Sequence, residues 1–477
     1  MSRGEDGSGM ADGGVNLGYL GVTRSLSGRV WRQRTACPDL TRRHQLDHGL
    51  SEPLARALAA RGVTDGANFL NPTLKALFPD PSSFADMDRA AEILVDALEA
   101  KRRIVVFADY DVDGATSAAL IVRWFRAMGL ELSIYVPDRM TEGYGPSPAA
   151  FRRLKAEGAE LVITVDCGAA AHDALACATE IGLPVVVIDH HLMRPGEIPA
   201  VAALVNPNRP DCGSGQGHLA AAGVSFVLLA ALNREARRRR LGPEPDIRPW
   251  LDLAAMGAVC DVTQLTGFNR ALAAQGLKVM SAWANPGLKA LMTVAKAQGP
   301  ASVFHAGFLL GPRINAGGRI GRSDLGARLL STDDPEEAAA LAEELDALNA
   351  SRKQVEAEVQ EAAVRQIERE SNQADAPCLV VAEDGWHPGV IGIVAGRLRE
   401  RYRKPVMVIG IDRAADVGKG SGRSQPGVNL GAAVQAAYEA GLLLAGGGHA
   451  MAAGLSVRPA AIPELREFLC ERMAQEQ

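Results

Sequence analysis

Short, continuous apolar runs alternate with helical segments between residues 103 and 188. The runs read IVVFA, LSIYV, LVITV and VVVI, and the segments between them have the apolar spacing of helices. Continuous runs of this length are typical of strands buried on both faces, as in a parallel sheet that helices cover. The pattern predicts an α/β domain with a doubly wound parallel sheet.

The pattern changes twice beyond this domain. Residues 334–370 are acidic, rich in alanine and nearly free of helix breakers, which predicts one long connecting helix. Beyond Pro377 the alternation restarts with CLVVAED, VIGIVAGRLRERY and PVMVIGID. We expect four parts: a flexible arm over 1–45, a main domain with N-terminal helices and an interdomain segment over 46–330, a connecting helix over 331–374, and a smaller α/β domain over 375–477.

Carboxylate and imidazole side chains follow the strands of the main domain. They are Asp109, Asp111 and Asp113 in ADYDVDG, Asp166 in TVDCG, His190 and His191 in IDHH, and Asp261 in GAVCDV, which we interpret as a further strand end. The carboxyl ends of parallel strands meet at one edge of the sheet, where ligands bind in such domains. We expect these side chains to converge there.

The closely spaced aspartates raise an electrostatic problem. If Asp109, Asp111 and Asp113 continue a strand, its period of two points all three side chains to one face. Neighbouring carboxylates roughly 6 to 7 Å apart repel by roughly 2 to 3 kcal/mol at an effective dielectric of about 20. A helix N-cap explains one aspartate but hardly three. The stretch therefore indicates a bound cation.

The ligand types indicate which cation. Carboxylates with imidazole and without thiolate suit Mn²⁺ or Mg²⁺, and histidine favours Mn²⁺. Cys167 and Cys260 adjoin ligand positions, but on strands their side chains point to the opposite face, so we interpret them as core residues. Five or more ligands exceed the need of one ion that keeps open water positions. Two ions with one bridging aspartate fit better, and such a pair suits phosphoester or phosphoanhydride hydrolysis.

Composition limits the class of protein. A net charge of −5 argues against a uniformly basic nucleic-acid binder, although a local patch can still attract phosphates. The seven cysteines form no CxxC pair, so we expect reduced thiols and no structural zinc. No apolar run reaches the roughly 18 residues that span a bilayer, and the polar N terminus lacks a secretory signal. We expect a cytoplasmic protein without membrane association, and we interpret the basic run Arg237 to Arg240 as a solvated helix end.

The motifs DYDVDG, VDCG, DHH and the aspartate of AVCDV, in this order, resemble those of the DHH phosphoesterase superfamily. DYDVDG resembles its RecJ exonuclease branch in particular. The resemblance extends to EGYGPS (142–147), GPRINAGGRIG (311–321), GWHPGVIGIVAGRL (385–398), GSGRS (420–424) and GGGHAMAAG (446–454). It implies a DHH domain joined to a DHH-associated domain. The implied activity is single-strand-specific 5′→3′ cleavage of DNA to mononucleotides, in DNA repair and recombination.

The resemblance also implies catalytic and metal-binding roles. Asp111 is expected to hold one ion and Asp113 the other, with Asp166 as the bridge. His190 and Asp261 are expected to complete the second site.

Three further residues of the same cluster have implied roles. Asp109 is either a metal ligand or a support for one. His191 is placed to contact the scissile phosphate. Asp189 is expected to orient the histidine rings, as carboxylates behind metal ligands commonly do.

The second domain is expected to bind the 5′ end of the strand. Glycine-rich segments expose backbone N–H groups that can cradle a phosphate, and a guanidinium can grip one with two hydrogen bonds. The candidate anchors are Gly447, Gly448 and His449 in GGGHAMAAG, and Ser421, Arg423 and Ser424 in GSGRS. The alternative for the glycines is a turn needed only for packing.

Four more residues are candidates for contact with the strand. Asn315 and Arg319 lie in the interdomain segment. His387 either lines the cleft or packs within its loop. Tyr144 is the candidate stacking residue, since single strands commonly stack on aromatic side chains.

Other functions fit part of the pattern. A hydrolase of short oligonucleotides or cyclic dinucleotides uses the same ions, whereas a pyrophosphatase fits GPRINAGGR and the long helix less well. A catalytically silent DNA-binding scaffold is disfavoured because every ligand position is filled. Exonucleases of this branch usually continue into an OB-fold, and we expect none before Gln477, because either the gene product is short or the sequence is truncated. We expect intact chemistry but weaker, salt-sensitive binding to long DNA.

Overall fold

A computed structural model gives the placement of residues 19–139, 141–194, 196, 198–369 and 376–475. The chain divides into two compact units, Met1–Ala76 and Leu77–Gln477. Residues 46–76, which we expected in the main domain, therefore cluster with the N-terminal residues instead. The second unit contains both α/β domains.

The first unit is helical in its described part. Its helices are α1 (Pro38–His48), α2 (Glu52–Ala59), α3 (Gly66–Leu70) and α4 (Leu74–Leu77). Within this unit the buried His44 places its ring Nε2 2.7 Å from the carbonyl oxygen of Val63. Proline at the first helical position starts α1 at Pro38, so the last part of the predicted flexible arm is helical. Residues 1–18 of that arm lie outside the described residues.

A five-stranded parallel sheet forms the centre of the main domain. Its strands are β1 (Ile104–Ala108), β2 (Ser133–Tyr135), β3 (Leu161–Val165), β4 (Val185–Ile188) and β5 (Ala203–Val205), in the order β2-β1-β3-β4-β5. Every residue of β1, β3, β4 and β5 is buried, as their continuous apolar runs require. The predicted doubly wound parallel sheet is confirmed.

Helices cover both faces of this sheet. On one face α7 (Pro148–Ala156) and α8 (His172–Glu180) pack against alternate residues of the strands, such as Phe107 and Val162. The opposite face packs against α5 (Met87–Glu99), α6 (Val112–Ala127) and α9 (Ala221–Arg239). The basic end of α9 is already paired with carboxylates, through Arg237 with Glu244, Arg238 with Glu235, and Arg239 with Asp96 and Glu99.

A helical region follows the sheet. It comprises α10 (Leu251–Cys260), α11 (Gly267–Met280), α12 (Pro286–Val294), a π-helix (His305–Leu310), α13 (Gly311–Ile320), α14 (Leu325–Ser331) and α15 (Pro335–Arg369). The long helix α15 confirms the predicted connection. Our interpretation of GAVCDV as a strand end was wrong, because the apolar run before Asp261 continues over ten residues as the buried helix α10.

The second domain is a smaller α/β fold. Its strands are β6 (Leu379–Asp384), β7 (Val406–Asp412), β8 (Val417–Arg423), β9 (Ala445–His449) and β10 (Ala452–Val457), in the order β6-β7-β8-β10-β9. Its helices are α16 (Pro388–Tyr402), α17 (Leu430–Glu439) and α18 (Ile462–Ala474), and each face of the sheet has an apolar core. Among the helices of the described ranges, none has the length and apolar content to cross a membrane.

Gly257 controls the packing of α10 against α6 and α9. A Cβ atom there would lie 2.4 Å from the Cβ of Ala222 and 2.7 Å from Oδ1 of Asp113. We predict that Gly257→Ala destabilises the fold by about 1 to 3 kcal/mol, because overpacking forces the helices apart. Urea unfolding followed by circular dichroism measures this change.

Gly396 in α16 is the matched control, since nothing lies within 4 Å of a Cβ built there. Gly396→Ala should stabilise the fold by about 0.5 to 1 kcal/mol through the reduced backbone entropy of alanine. A Gly257→Ala variant as stable as the Gly396→Ala variant would contradict the close approach of the helices.

Candidate metal centre

Three strand ends of the main sheet bring the acidic and imidazole side chains together. Asp109 follows β1, Asp166 follows β3, and His190 follows β4. The strand order reverses between β1 and β3, which is where ligands bind in doubly wound sheets. The site therefore lies where the topology favours it.

Asp111 ends the strand-like backbone and caps α6. Its Oδ1 accepts hydrogen bonds from the backbone N–H groups of Asp113, at 2.8 Å, and Gly114, at 3.2 Å. Asp113 therefore lies in the first helical turn, and the predicted extended alternation through it was wrong. A Cβ at position 114 would lie 2.4 Å from the carbonyl oxygen of Asp109, so only glycine permits this turn.

Asp113 in turn caps the helix α9. Its carboxylate accepts hydrogen bonds from the backbone N–H groups of Ala221, at 2.6 Å, and Ala222, at 2.8 Å. The N-cap residue of α9 is Ala220, whose side chain has no acceptor. This arrangement holds a buried carboxylate in one orientation while leaving a second lone pair on each oxygen.

His190 lies between three carboxylates. Its Nε2 is 3.3 Å from Oδ1 of Asp166, 3.7 Å from Oδ2 of Asp113 and 3.7 Å from Oδ2 of Asp261. Asp261 reaches this point from the C-cap of α10. A helix end thus supplies the ligand that we had assigned to a strand.

The predicted ligands form overlapping groups. In each group one ligand atom from each residue lies within 4.8 Å of the others. The groups are Asp109, Asp111 and Asp166; Asp113, His190 and Asp261; and Asp166, His190 and His191. Asp166 belongs to the first and third of these groups, and His190 to the second and third.

Burial and mutual repulsion keep these carboxylates from ionising freely. Burial raises the pKa of Asp109 to about 8, with the neighbouring Asp111 adding to the shift. Burial, then the charges of other aspartates, raises the pKa values of Asp113 and Asp166 well above their usual range. Burial raises the pKa of Asp261 to about 6, again with a contribution from Asp111.

This donor set fits divalent cations. The buried Oδ1 of Asp109 has no hydrogen-bond partner among the described residues. Oxygen and imidazole donors suit Mn²⁺ and Mg²⁺. A cation would satisfy that atom and offset the repulsion between the carboxylates.

Asp189 is hydrogen-bonded to the ring of His191 and to the backbone N–H of His190. Its Oδ1 lies 2.7 Å from Nδ1 of His191. Burial lowers the pKa of His191, but the bond to Asp189 outweighs it and raises the pKa to about 9. The charge of Asp189 also acts on the ring of His190, which is hydrogen-bonded to the backbone of Leu219. Burial, then the adjacent His191, lowers the pKa of His190.

A cavity of about 530 Å³ lies between the main and second domains beside this cluster. Its lining includes Tyr110, Arg139, Tyr144, Lys419, Ser421 and Gly447. The hydroxyl of Tyr144 is 3.3 Å from the carbonyl oxygen of Asp166 and 3.5 Å from Nε2 of His191. Tyr144 therefore connects the cavity to the cluster.

Three arginines gather around the cavity. Arg139 lies over the ring of Tyr110, Arg319 donates to the carbonyl oxygen of Gly389, and Arg423 donates to Oγ of Ser421. Burial, then the charge of Arg139, lowers the pKa of Arg319 to about 10 and that of Arg423 below its usual range. Within the described ranges none of the three forms an ion pair with a carboxylate. The arrangement leaves positive charge available to an anion.

Two candidate contacts have structural partners of their own. Oδ1 of Asn315 accepts from the backbone N–H of Val112, so this residue holds the turn before α6. His387 caps α16 by accepting from the backbone N–H of Gly389, which matches the packed-loop alternative.

The two glycine-rich segments differ in how much of each reaches the cavity. Ser424 is buried, and its hydroxyl donates to the carbonyl oxygen of Val428, which removes it from the cavity. Gly447 lines the cavity, whereas Gly448 and His449 lie farther along the edge strand β9 and outside the lining.

Comparisons with known proteins agree with this geometry. The family model described as the DHH family, N-terminal domain, matches residues 103–258, and the DHHA1 domain model matches residues 375–475. The single-stranded-DNA-specific exonuclease RecJ of Dickeya dadantii is 40% identical over 445 residues, which cover 90% of this chain and 76% of that protein. The chain belongs to the RecJ family of single-stranded-DNA-specific exonucleases.

Other members of the family support the same assignment. RecJ of Bacillus subtilis is 38% identical over 88% of this chain, which spans 52% of that protein's length. A crystal structure of exonuclease RecJ bound to manganese has a TM-score of 0.70 at 35% identity, covering 82% of this chain and 95% of that one. RecJ from Thermus thermophilus in complex with Mn²⁺ has a TM-score of 0.77 at 32% identity, covering 92% of this chain and 62% of that one.

Tyr110, Arg139 and Lys419 are among the cavity residues that sequence reasoning missed. Tyr110 lies inside DYDVDG, in which only the aspartates were predicted to be site residues. Arg139 follows β2 closely, and the carboxyl end of that strand is a position where this topology places ligand contacts. That rule applied to β2 would have found it.

The raised pKa values predict how metal-free stability depends on pH. In the folded state Asp109 and its neighbours retain protons that the unfolded chain has released above about pH 4. Stability of the metal-free protein should therefore fall as the pH rises from about 4 to 8. Mn²⁺ should restore it, and the gain in Tm should be larger at pH 8 than at pH 5.

Variants that replace a ligand aspartate with uncharged asparagine test whether the buried carboxylates cause this fall in stability with pH. At pH 8 without metal, Asp166→Asn should melt above the wild type by about 2 °C or more, the shift that about 1 kcal/mol gives in a domain of this size. The Asp166→Asn variant should lose most of the increase in Tm that Mn²⁺ gives. The Asp173→Asn variant, an exposed control on α8, should keep that increase. Equal Mn²⁺ gains for both variants would place the ion elsewhere.

Proposed function

We propose that this chain is a two-metal phosphodiesterase that removes mononucleotides from the 5′ end of single-stranded DNA, in DNA repair and recombination. The observation that carries the proposal is the convergence of the seven predicted ligand and phosphate-contact residues beside a cavity rimmed by arginines. Relatives that cover most of this chain bear the name of that activity.

Two groups of side chains are suited to two divalent cations, Mn²⁺ or Mg²⁺. Asp109, Asp111 and Asp166 would hold one ion, and Asp113, His190 and Asp261 the other. We propose Asp166 as the bridge, since its Oδ1 lies 3.3 Å from Nε2 of His190. Such ions supply an activated water and offset charge on the attacking and leaving oxygens of a phosphodiester. Their preference for these donors is also reflected in relatives solved with Mn²⁺ and Mg²⁺.

His191 is the group best suited to the scissile phosphate itself. Its Nδ1 is held by the buried Asp189, which keeps the ring protonated at neutral pH. Its Nε2 faces the hydroxyl of Tyr144 at the mouth of the cavity. A protonated imidazole fixed in this way can donate to a phosphate oxygen and stabilise the charge that develops there.

The arginines around the cavity would set the polarity of attack. A terminal phosphate carries more negative charge than an internal diester, so it gains more from Arg139, Arg319 and Arg423, which have no carboxylate partner among the described residues. A cavity of about 530 Å³ has the size of a site for one small ligand. One terminal nucleotide therefore fits between the 5′-phosphate anchor and the metal ligands, which accounts for mononucleotide products.

Loss of a central ligand should abolish hydrolysis. We predict that Asp113→Ala and Asp166→Ala reduce cleavage of a labelled 5′-phosphorylated single strand to the level seen with chelator. Circular dichroism should show folded proteins. Undiminished cleavage by either variant would contradict the assignment.

The products separate this proposal from its alternatives. Stepwise release of mononucleotides from a long strand supports the exonuclease, whereas cleavage limited to dinucleotides or cyclic dinucleotides supports a small-substrate hydrolase. Binding of DNA without cleavage in Mn²⁺ would support the silent scaffold. A duplex of the same sequence is the control for strand specificity.

Removal of the Arg423 guanidinium should change the preference for a 5′-phosphorylated strand more than it changes the rate of hydrolysis. We predict that Arg423→Ala lowers the ratio of kcat/KM for 5′-phosphorylated over 5′-hydroxyl strands by about ten-fold or more, as expected for a charge-assisted contact. Arg413→Ala is the control, because Arg413 is exposed and pairs with Asp384. An unchanged ratio in the Arg423→Ala variant would move the anchor to another residue.

A further inference from the structure

A loop in the first unit carries positive charge that no nearby carboxylate in the sequence balances. Residues 19–38 contain four arginines and no aspartate or glutamate, in a chain whose net charge is −5. The four are exposed, and they are Arg24, Arg29, Arg32 and Arg34. Unlike the arginines at the end of α9, none of them forms an ion pair within the described ranges. Such a local excess of positive charge attracts an anionic partner.

Backbone hydrogen bonds fold this stretch back on itself. The N–H of Ser25 donates to the carbonyl oxygen of Arg29 at 2.8 Å, and the N–H of Gly28 donates to that of Ser25 at 2.8 Å. Gly28 has a φ of 72°, a conformation that glycine adopts without strain. Arg24 and Arg29 therefore lie on the two sides of one tight turn. We call residues 19–34 the arginine loop.

An exposed tryptophan lies among these arginines in the sequence. Trp31 is 52% exposed, whereas the other four tryptophans of the chain are buried or half-buried. Hydrogen bonds hold its backbone, because its N–H donates to the carbonyl oxygen of Val22 at 3.2 Å and its carbonyl oxygen accepts from the N–H of Tyr19 at 2.6 Å. Arg32 follows it directly. The loop thus combines guanidinium groups with an aromatic face on which an unpaired base can stack.

This combination fits a single strand of nucleic acid better than a lipid surface. Guanidinium groups grip phosphate oxygens with paired hydrogen bonds, and positive surfaces with aromatic rings are typical of proteins that bind single strands. Segments that lie on a bilayer are commonly amphipathic helices. Apart from the three-residue 3₁₀ turn Tyr19–Gly21, the arginine loop is not helical, and its chain reverses direction at Gly28.

We propose that the arginine loop is a second binding site for single-stranded nucleic acid, in which the arginines contact phosphates and Trp31 stacks on a base. The loop belongs to the first unit, whereas the metal-ligand cluster and the cavity belong to the second. The choice of single strands as the partner rests on the proposed function. Phosphates and base faces are common to all sequences, so the site adds affinity without sequence preference.

The salt dependence of binding tests the arginines. Fluorescence anisotropy measures the binding of a labelled oligothymidine whose linkages near the 5′ end are hydrolysis-resistant phosphorothioates, with Mn²⁺ at a fixed low concentration. Replacing all four loop arginines with glutamine should make the slope of log K against log salt concentration shallower by about 2 to 3, since each phosphate contact on a single strand contributes about 0.7. Affinity at low salt should fall about ten-fold or more.

A control variant removes the same number of charges elsewhere. It replaces four exposed arginines that already pair with carboxylates, and the substitutions are Arg237→Gln, Arg238→Gln, Arg248→Gln and Arg413→Gln. This variant should leave the slope nearly unchanged, because its arginines are not available to phosphates. Equal slopes in the wild type and the loop variant, or equal reductions in the loop and control variants, would overturn the proposal.

Tryptophan fluorescence tests the stacking role of Trp31. Bound oligothymidine should quench the emission of the wild type and not that of the Trp31→Phe variant, since the other four tryptophans are buried or half-buried. Trp31→Phe keeps a ring and should bind with nearly the wild-type affinity, whereas Trp31→Ala should bind about five-fold or more weakly, the loss of one stacked base. Quenching that persists in Trp31→Phe would overturn this role.

The loop site and the proposed function fail in different ways. A wild type whose binding shows the loop contribution but which cleaves no ordinary strand would refute the exonuclease and keep the loop site. Normal cleavage with equal slopes in the wild type and the loop variant would refute the loop site alone. Sedimentation with phosphatidylserine vesicles that only the loop variant loses, together with equal slopes for the oligothymidine, would assign the loop to a lipid surface and overturn the proposal.

Discussion

Repulsion among buried carboxylates is the constraint on which the site depends. Asp109, Asp113 and Asp166 lie where burial and like charge raise their pKa values. Backbone N–H groups of α6 hold the neighbouring Asp111, and those of α9 hold Asp113, so the fold carries an electrostatic cost when no cation is bound. Divalent cations would relieve that cost, and the same cations supply the chemistry that the family name implies.

Charge of the opposite sign lies around the cavity beside this cluster, and the charge of Arg139 acts on Asp109. Arg139 and Arg423 come from different domains, yet both lie around the cavity without a carboxylate partner among the described residues. In the proposed function a terminal phosphate binds near the guanidinium groups and a diester lies near the metal ligands. In that proposal the guanidinium groups set the polarity of attack and the metal ligands supply the chemistry.

The sequence predicted the main sheet, the long helix and the gathering of ligands, because buried parallel strands leave continuous apolar runs and their carboxyl ends share one edge. It misplaced Asp113 and Asp261. Asp113 enters a helix because Asp111 caps it, and Asp261 ends the buried helix α10, whose apolar run is indistinguishable from a strand by periodicity alone. The hydrogen-bond partners of Ser424 and His387 could not be predicted either, since a hydrogen bond between loop residues leaves no periodic pattern in the sequence.

Anomalous diffraction from crystals soaked in Mn²⁺ tests the central claim most directly. The electrostatic account predicts two manganese peaks within the cluster, one beside Asp109 and Asp111, the other beside Asp113, His190 and Asp261, with Asp166 between them. A cluster that takes up no manganese, or peaks found only at other carboxylates, would contradict it.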